Sequence, residues 1–315
     1  MYSLWDICGE KEAVIYRLSG GEPVVKVPDT IEGYTVTAIG PYCFSDSKRT
    51  PENVRKTFET GKREEASLYM TELAGGFIEE IVLPDTLRQI GNAAFFNCRN
   101  LRRIELGSGE LSVGSDVFNN CLSLTGISMR AHVSDATSLK QILGRISWNL
   151  EVNFFDAALF YPEYYESYET IAPAHIFGLN MEGEGFRARQ CFRGDAVDLP
   201  AYDAIFPKAC AEESVEVLSV MALNRLMSPI GLTERPKRFY EEYLRDNAEE
   251  ISAVLVRKKD LDRLAFIWEN KYIEKNSLDC ALALSVQNEW SEGAAAIMEW
   301  AQKSSGICRK KRYGF

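Results

Sequence analysis

Histidine is nearly missing from this chain. Only His132 and His175 occur among 315 residues, so a histidine-based triad has just those two bases to draw on. No H-E-x-x-H, G-x-S-x-G or phosphate-loop run is present. None of the eight cysteines stands in a C-x-x-C pair, which removes the usual zinc spacing. Neither a metal nor a cofactor is therefore expected. No apolar run reaches the roughly 20 residues that a membrane-spanning helix needs. The first residues lack a basic segment followed by a long apolar one, and Asp6 and Glu10 interrupt them early. A broad basic face is missing too. The net charge is −10, divided as −4 over residues 1–130 and −6 over the rest, which argues against a nucleic-acid partner. Acid pairs such as Glu163 and Glu166 leave a carboxylate-only glycosidase open. Such pairs are common on helix surfaces, and the chain is read as a non-enzyme.

What is present is a repeat. Ile78, Leu101 and Leu124 are 23 residues apart, as are Ile81, Ile104 and Ile127, and Leu83, Leu106 and Met129. Ile90 and Val113, Gly91 and Gly114, Phe95 and Phe118, and Cys98 and Cys121 keep the same spacing. A fixed period in the twenties with apolar residues spaced I-x-x-I-x-L is a leucine-rich-repeat signal. One such unit cannot bury its own apolar stripe, so units stack into a continuous core.

These units resemble the BspA-like leucine-rich repeats, which read roughly I-x-x-I-x-L-P-x-x-L-x-x-I-G-x-x-A-F-x-x-C. Pro84, Ile90, Gly91, Ala94, Phe95 and Cys98 carry the match. The second unit departs from it: Glu110 stands where Leu87 does, Leu111 follows one place later, and Val117 replaces Ala94. The resemblance implies a parallel β-solenoid that binds other molecules, often at a cell surface, and no chemistry of its own.

Parallel strands are expected at 79–83, 102–106 and 125–129, because side chains alternate with period two and Ile81 and Leu83 share a face. The outward positions Glu80, Val82, Arg103, Glu105, Gly126 and Ser128 are then free of core duty and form the candidate binding face. Glu79 with Arg102 and Glu80 with Arg103 read as cross-strand ion pairs. Phe95 and Phe118 are expected inside the coil, Cys98 and Cys121 as a buried thiol ladder, and Gly91 and Gly114 at turns that a Cβ would obstruct. Residues 11–46 read as a cap followed by a degenerate repeat. V-P-D-T-I at 27–31 echoes L-P-D-T-L at 83–87, with an extra short strand after Gly33 and a hairpin around Gly20-Gly21.

The segment 47–76 reads as one or two inserted helices, entered at Thr50-Pro51, with Val54 and Phe58 on one face. Leu139, Ile142, Leu143 and Ile146 give a helical stripe, and 150–155 reads as a strand. Pro162 is expected to start a helix that places Tyr161, Tyr165 and Tyr168 on one face, a second binding candidate or a packing layer. Helical hairpins fill 213–304, broken at Pro229-Ile-Gly231, and the tail R-K-K-R at 309–312 is read as flexible. The fold class is thus α/β. A leucine-rich-repeat domain with its cap and insertion spans 1–133, a mixed and mainly α-helical hairpin domain 134–304, and a basic tail 305–315.

The functional expectation is a non-enzymatic protein-protein interaction scaffold. The alternative is a cell-surface binding protein recognising a host protein or glycan. The first places the chain in the cytoplasm, and the second requires a native signal ahead of it.

Overall fold

A computed structural model describes residues 2–58, 70–171 and 176–304. Its contacts divide the chain into two compact units, Met1–Ile205 and Phe206–Phe315.

The first unit is a β-solenoid of about six turns over residues 12–153. It opens with β1 (Tyr2–Gly9) and β2 (Glu12–Gly20), an antiparallel pair. Next come β3 (Val24–Lys26), β4 (Thr30–Ile31) and β5 (Tyr34–Ile39). β4 and β5 make the extra hairpin, turned on Glu32 and Gly33, both at positive φ. After β6 (Arg55–Phe58) and β7 (Thr71–Glu72) the regular coils begin. They contribute β8 (Glu80–Val82), β9 (Gln89–Ile90), β10 (Arg103–Gly107), β11 (Ser112–Val113) and β12 (Gly126–Arg130). Helix α1 (Leu139–Leu143) and strands β13 (Leu150–Asn153) and β14 (Ala158–Tyr161) follow.

Two sheets line the solenoid. One runs β14-β13-β12-β10-β8-β3, parallel except for its last pair, β13 with β14. The other runs β11-β9-β5-β2-β1-β6. The 23-residue register holds: Ile81 pairs Ile104, and Ile104 pairs Ile127. The solenoid sheet does not stop at residue 133, because β12 pairs β13 in parallel with Ile127 beside Val152.

Three local expectations are corrected. Where it is described, segment 47–76 contributes two strands and the start of a 3-10 turn at Gly75–Phe77 rather than α-helices; β6 pairs β1 and β7 pairs β2. The β-branched Thr57 and aromatic Phe58 favour a strand, which the i,i+4 spacing of Val54 and Phe58 does not report. Residues 59–69 of that segment lie outside the described residues, as do His175 and the tail 305–315. The hairpin around Gly20-Gly21 is not formed: β2 pairs β1, while β3 joins the other sheet beside β8. Pro162 starts no helix either. Tyr161 ends β14, and β15 (Tyr165–Ile171) pairs antiparallel with β16 (Ile176–Glu182), as tyrosine's preference for strands favours.

The first unit ends with α2 (Gly185–Ala188), the small pair β17 (Phe192–Arg193) and β18 (Ala196–Val197), and α3 (Leu199–Asp203). In the second unit α4 (Phe206–Glu212), α5 (Val215–Met227), α6 (Glu234–Asp246), α7 (Ala248–Lys258), α8 (Leu261–Glu269), α9 (Lys275–Gln287) and α10 (Ser291–Ser304) form helical hairpins. Phe206 lies between Tyr240 and Tyr243 at 4.4 and 5.4 Å. Ser214 and Asp260 cap α5 and α8 with their side chains, each supplying an acceptor to an orphan N–H.

Candidate functional site

The interior fixes the outer face. Phe44, Phe95 and Phe118 stack as one column, with ring centroids 5.1 and 5.6 Å apart, and all three are buried. Beside them, the Cys98 thiol donates to Phe44 O at 3.1 Å and the Cys121 thiol to Phe95 O at 3.0 Å. Both cysteines are free and buried. Gly91 and Gly114 are needed for close approach: a Cβ would come within 2.6 Å of Pro41 N at Gly91 and 2.7 Å of Asn92 N at Gly114. Successive coils are therefore locked in register, and so are the side chains that the strands turn outward.

Those side chains form two rows. Val24, Glu80, Arg103, Gly126, Glu151 and Phe160 register across the sheet in one. Lys26, Val82, Glu105, Ser128, Asn153 and Ala158 register in the other. All six outward candidates from the repeat fall in these rows. The rows also reach β3, β13 and β14. The sequence carried a signal for β3, since Val25 precedes the V-P-D-T-I echo as Ile81 precedes L-P-D-T-L. Alternation in L-E-V-N at 150–153 pointed to β13.

Charge on this face is organised by a residue absent from the candidate set. Arg130, at the end of β12, reaches back across two coils. It donates to Glu105 Oε1 at 2.6 Å, Asp85 Oδ1 at 2.9 Å and Leu83 O at 2.6 Å. Partial burial works against its charge, but the bonds to Glu105 and Asp85 outweigh that, and its pKa is raised. Glu105 is therefore held by Arg130 and is not a freely presented acid. Glu79 and Arg102 approach to 4.0 Å, a surface pair that contributes about 0.2–1 kcal/mol.

The tyrosine candidates do not share a face of one helix. Tyr161 is fully buried, edge-on to Tyr202 at 5.9 Å. Tyr165 is exposed at the start of β15 and registers with Glu182. Tyr168 lies in β15 opposite Leu179, and its side chain is outside the described residues. Arg189, buried next to Tyr161, donates to Ile146 O at 2.9 Å, Trp148 O at 2.8 Å and Pro162 O, and burial pulls its pKa down to about 10. Four backbone carbonyls, Gly185 O included, occupy its guanidinium, so it acts as a structural tie.

Among the described residues, two of the clefts on this unit are roomy. One of about 680 Å³ lies where the strands turn between the sheets, near Lys11, Asp85, Arg88 and Glu110. Another of about 520 Å³ lies beside Asp116, Phe118, Asn120 and Trp148. His132 Nδ1 sits 3.2 Å from Asp156 Oδ2, and its ring meets Phe155 edge-on. Among the described residues, no group of three or more His, Cys, Asp or Glu is placed to hold a metal ion. No described helix is long and apolar enough to cross a membrane.

Comparison with protein families agrees with the repeat. Residues 69–141 match the family described as "BspA type Leucine rich repeat region (6 copies)". Among solved structures, the crystal structure of a leucine-rich-repeat protein of T. pallidum (TpLRR) is similar at 19% identity, covering 41% of this chain and 51% of that one, with a TM-score of 0.26. The chain thus spans about half the length of that relative. No curated protein matches.

Proposed function

With residues 69–141 forming a BspA-type leucine-rich-repeat region, we propose that the chain is a non-enzymatic scaffold that binds a protein partner on the outward face of the solenoid sheet. The observation that carries this reading is the pair of side-chain rows in lateral register across β3, β8, β10, β12, β13 and β14. Solenoids use extended faces of this kind for recognition. Arg103, Glu80, Lys26 and Glu151 give the face mixed charge, Val24 and Phe160 give it apolar ends, and the Arg130 clamp keeps its centre rigid. A mixed, preorganised surface suits a folded protein better than a lipid or a phosphate backbone. The other binding class, a host protein or glycan met at a cell surface, would use the same face.

The test is a pull-down from native lysate read by mass spectrometry, run beside a glycan array. It is repeated with Glu80→Lys, Arg103→Glu and Glu105→Lys combined, after the Tm is checked. Loss of the captured partner supports the reading. Unchanged capture by a folded triple variant contradicts it.

A further inference from the structure

We propose that the phenylalanine turns end in an open groove that takes a peptide segment of a partner protein as the next coil. The turns are joined by a repeating backbone ladder, in which each coil's N–H groups donate to carbonyls of the coil after it. Tyr42 N reaches Asn92 O at 3.1 Å and Phe44 N reaches Ala94 O at 2.8 Å. Ala93, Phe95 and Asn97 N then reach Ser115, Val117 and Asn119 O at 2.8, 3.0 and 3.0 Å. A side-chain ladder runs alongside: Asn97 Nδ2 donates to Asp46 Oδ1 at 3.1 Å, and Asn120 Nδ2 to Asn97 Oδ1 at 2.8 Å.

The two ends of this ladder are treated differently. At its start, Cys43 O and Ser45 O stand where Val117 O and Asn119 O stand two coils later, with no earlier coil among the described residues to serve them. Buried Arg17 fills that role, donating to Cys43 O at 3.0 Å, Ser45 O at 2.6 Å and Ser47 O at 3.3 Å. At its far end, the backbone N–H groups of Asp116, Phe118 and Asn120 have no acceptor among the described residues. They border the cleft of about 520 Å³, whose other walls include Leu122, Trp148 and Tyr164. Across the cleft from these N–H groups, residues 144–148 of the chain form the facing wall.

This edge specifies its occupant. It presents three donors at alternate residues, so it needs three acceptors with the spacing of peptide carbonyls. Asn120 Oδ1 stands where Asn97 Oδ1 receives an amide, so the occupant offers a side-chain amide there. Leu122, 75% exposed, calls for an apolar side chain beside it. A second copy stacked head to tail does not fit, because the carbonyls of its first turn are already taken by Arg17. The outward strand face has no part in this site, and the charge reversals described above leave it unchanged.

The experiment uses the full chain, labelled with ¹⁵N, and an end-blocked synthetic peptide of residues 112–123. That sequence already presents Ser115, Val117 and Asn119 carbonyls to the preceding coil. The expected result is a saturable shift of the Asp116, Phe118 and Asn120 amides, absent with a scrambled peptide. Leu122→Lys on the exposed wall and Asn120→Gly, which keeps the backbone conformation, should each weaken binding by about tenfold. Four results would each overturn the proposal. These are no saturable shift at millimolar peptide, equal binding of the scrambled peptide, unchanged affinity in folded Leu122→Lys, and the same shifts arising from protein concentration alone, which would assign the edge to self-association.

Discussion

The strand side and the turn side of the same coils end in different ways. On the strand side the sheet runs on through β13 and β14, and its last strand is closed by Tyr202. That hydroxyl donates to Phe160 O at 2.6 Å and accepts from Phe160 N at 3.1 Å. On the turn side the ladder stops at Asp116, Phe118 and Asn120, facing a cleft. A solenoid coil thus has more than one edge, and each must be terminated separately. Exposed strand edges invite pairing with other chains. Here one is closed by a buried phenol and the start of the turn ladder by a buried guanidinium, while the end of the turn ladder stays open.

The largest expected effect is on the turn column itself. Phe95 is stacked on both sides, so Phe95→Ala should cost about 3–5 kcal/mol, read as a fall in denaturant midpoint. An unchanged midpoint would separate the column from the stability of the solenoid. Arg17→Met removes the guanidinium from three carbonyls and should cost about 3 kcal/mol, since hydrogen bonds from charged groups are strong and buried acceptors are left unpaired. If the loss is no larger than for an exposed arginine, the start of the ladder is not capped in the way described.

Tyr202→Phe tests the strand side, where losing the hydroxyl from the edge strand should cost about 1–3 kcal/mol. Alkaline pH tests the thiols next to the column. The Cys121 contact and burial hold the Cys98 thiol well above its ordinary value, and burial does the same for Cys43. Their raised folded values mean that this stabilising contribution is complete below the unfolded thiol value of 9.0 and fades as pH rises above it. The slope should be about 1.4 kcal/mol per pH unit for each such thiol, checked by Tm against pH in the wild type and a Cys43→Ala variant. The smallest effect belongs to the outward face. Combined reversal at Glu80 and Arg103, which leaves the Arg130–Glu105 bond in place, should cost no more than about 1 kcal/mol, because exposed charges contribute little.

The contrast between the two sides also accounts for what the sequence could and could not say. The 23-residue register comes from residues shared by every coil: Ile81 and Ile104 in the strand, Phe95 and Phe118 in the turn. Their spacing was enough to place the parallel strands and the buried column. At residue 130 the turn side loses its pattern, and the period goes with it, so the loss read as the end of the solenoid. The strand side continued on Leu150 and Val152 alone, too short a pattern to carry a period. The outer rows were legible for three strands because alternation determines them there. Arg130 was missed because its partners, Asp85 and Glu105, lie 45 and 25 residues away, a distance that no local pattern reports. The tyrosines at 161–168 misled because their spacing of three and four imitates a helix face, while side-chain preference and pairing with 176–182 favour strands.

Hydrogen exchange at single amides tests the difference between the two edges most directly. The account predicts slow exchange, requiring disruption of the solenoid, at Phe95, whose N–H is bonded to Val117 O, and at Phe160, bonded to Tyr202. Phe118, equally buried in its side chain but with an N–H that finds no acceptor among the described residues, should exchange at least about a hundredfold faster, as a site open without unfolding. Equal protection of Phe95, Phe118 and Phe160 would contradict it, because the end of the turn ladder would then be closed like the others.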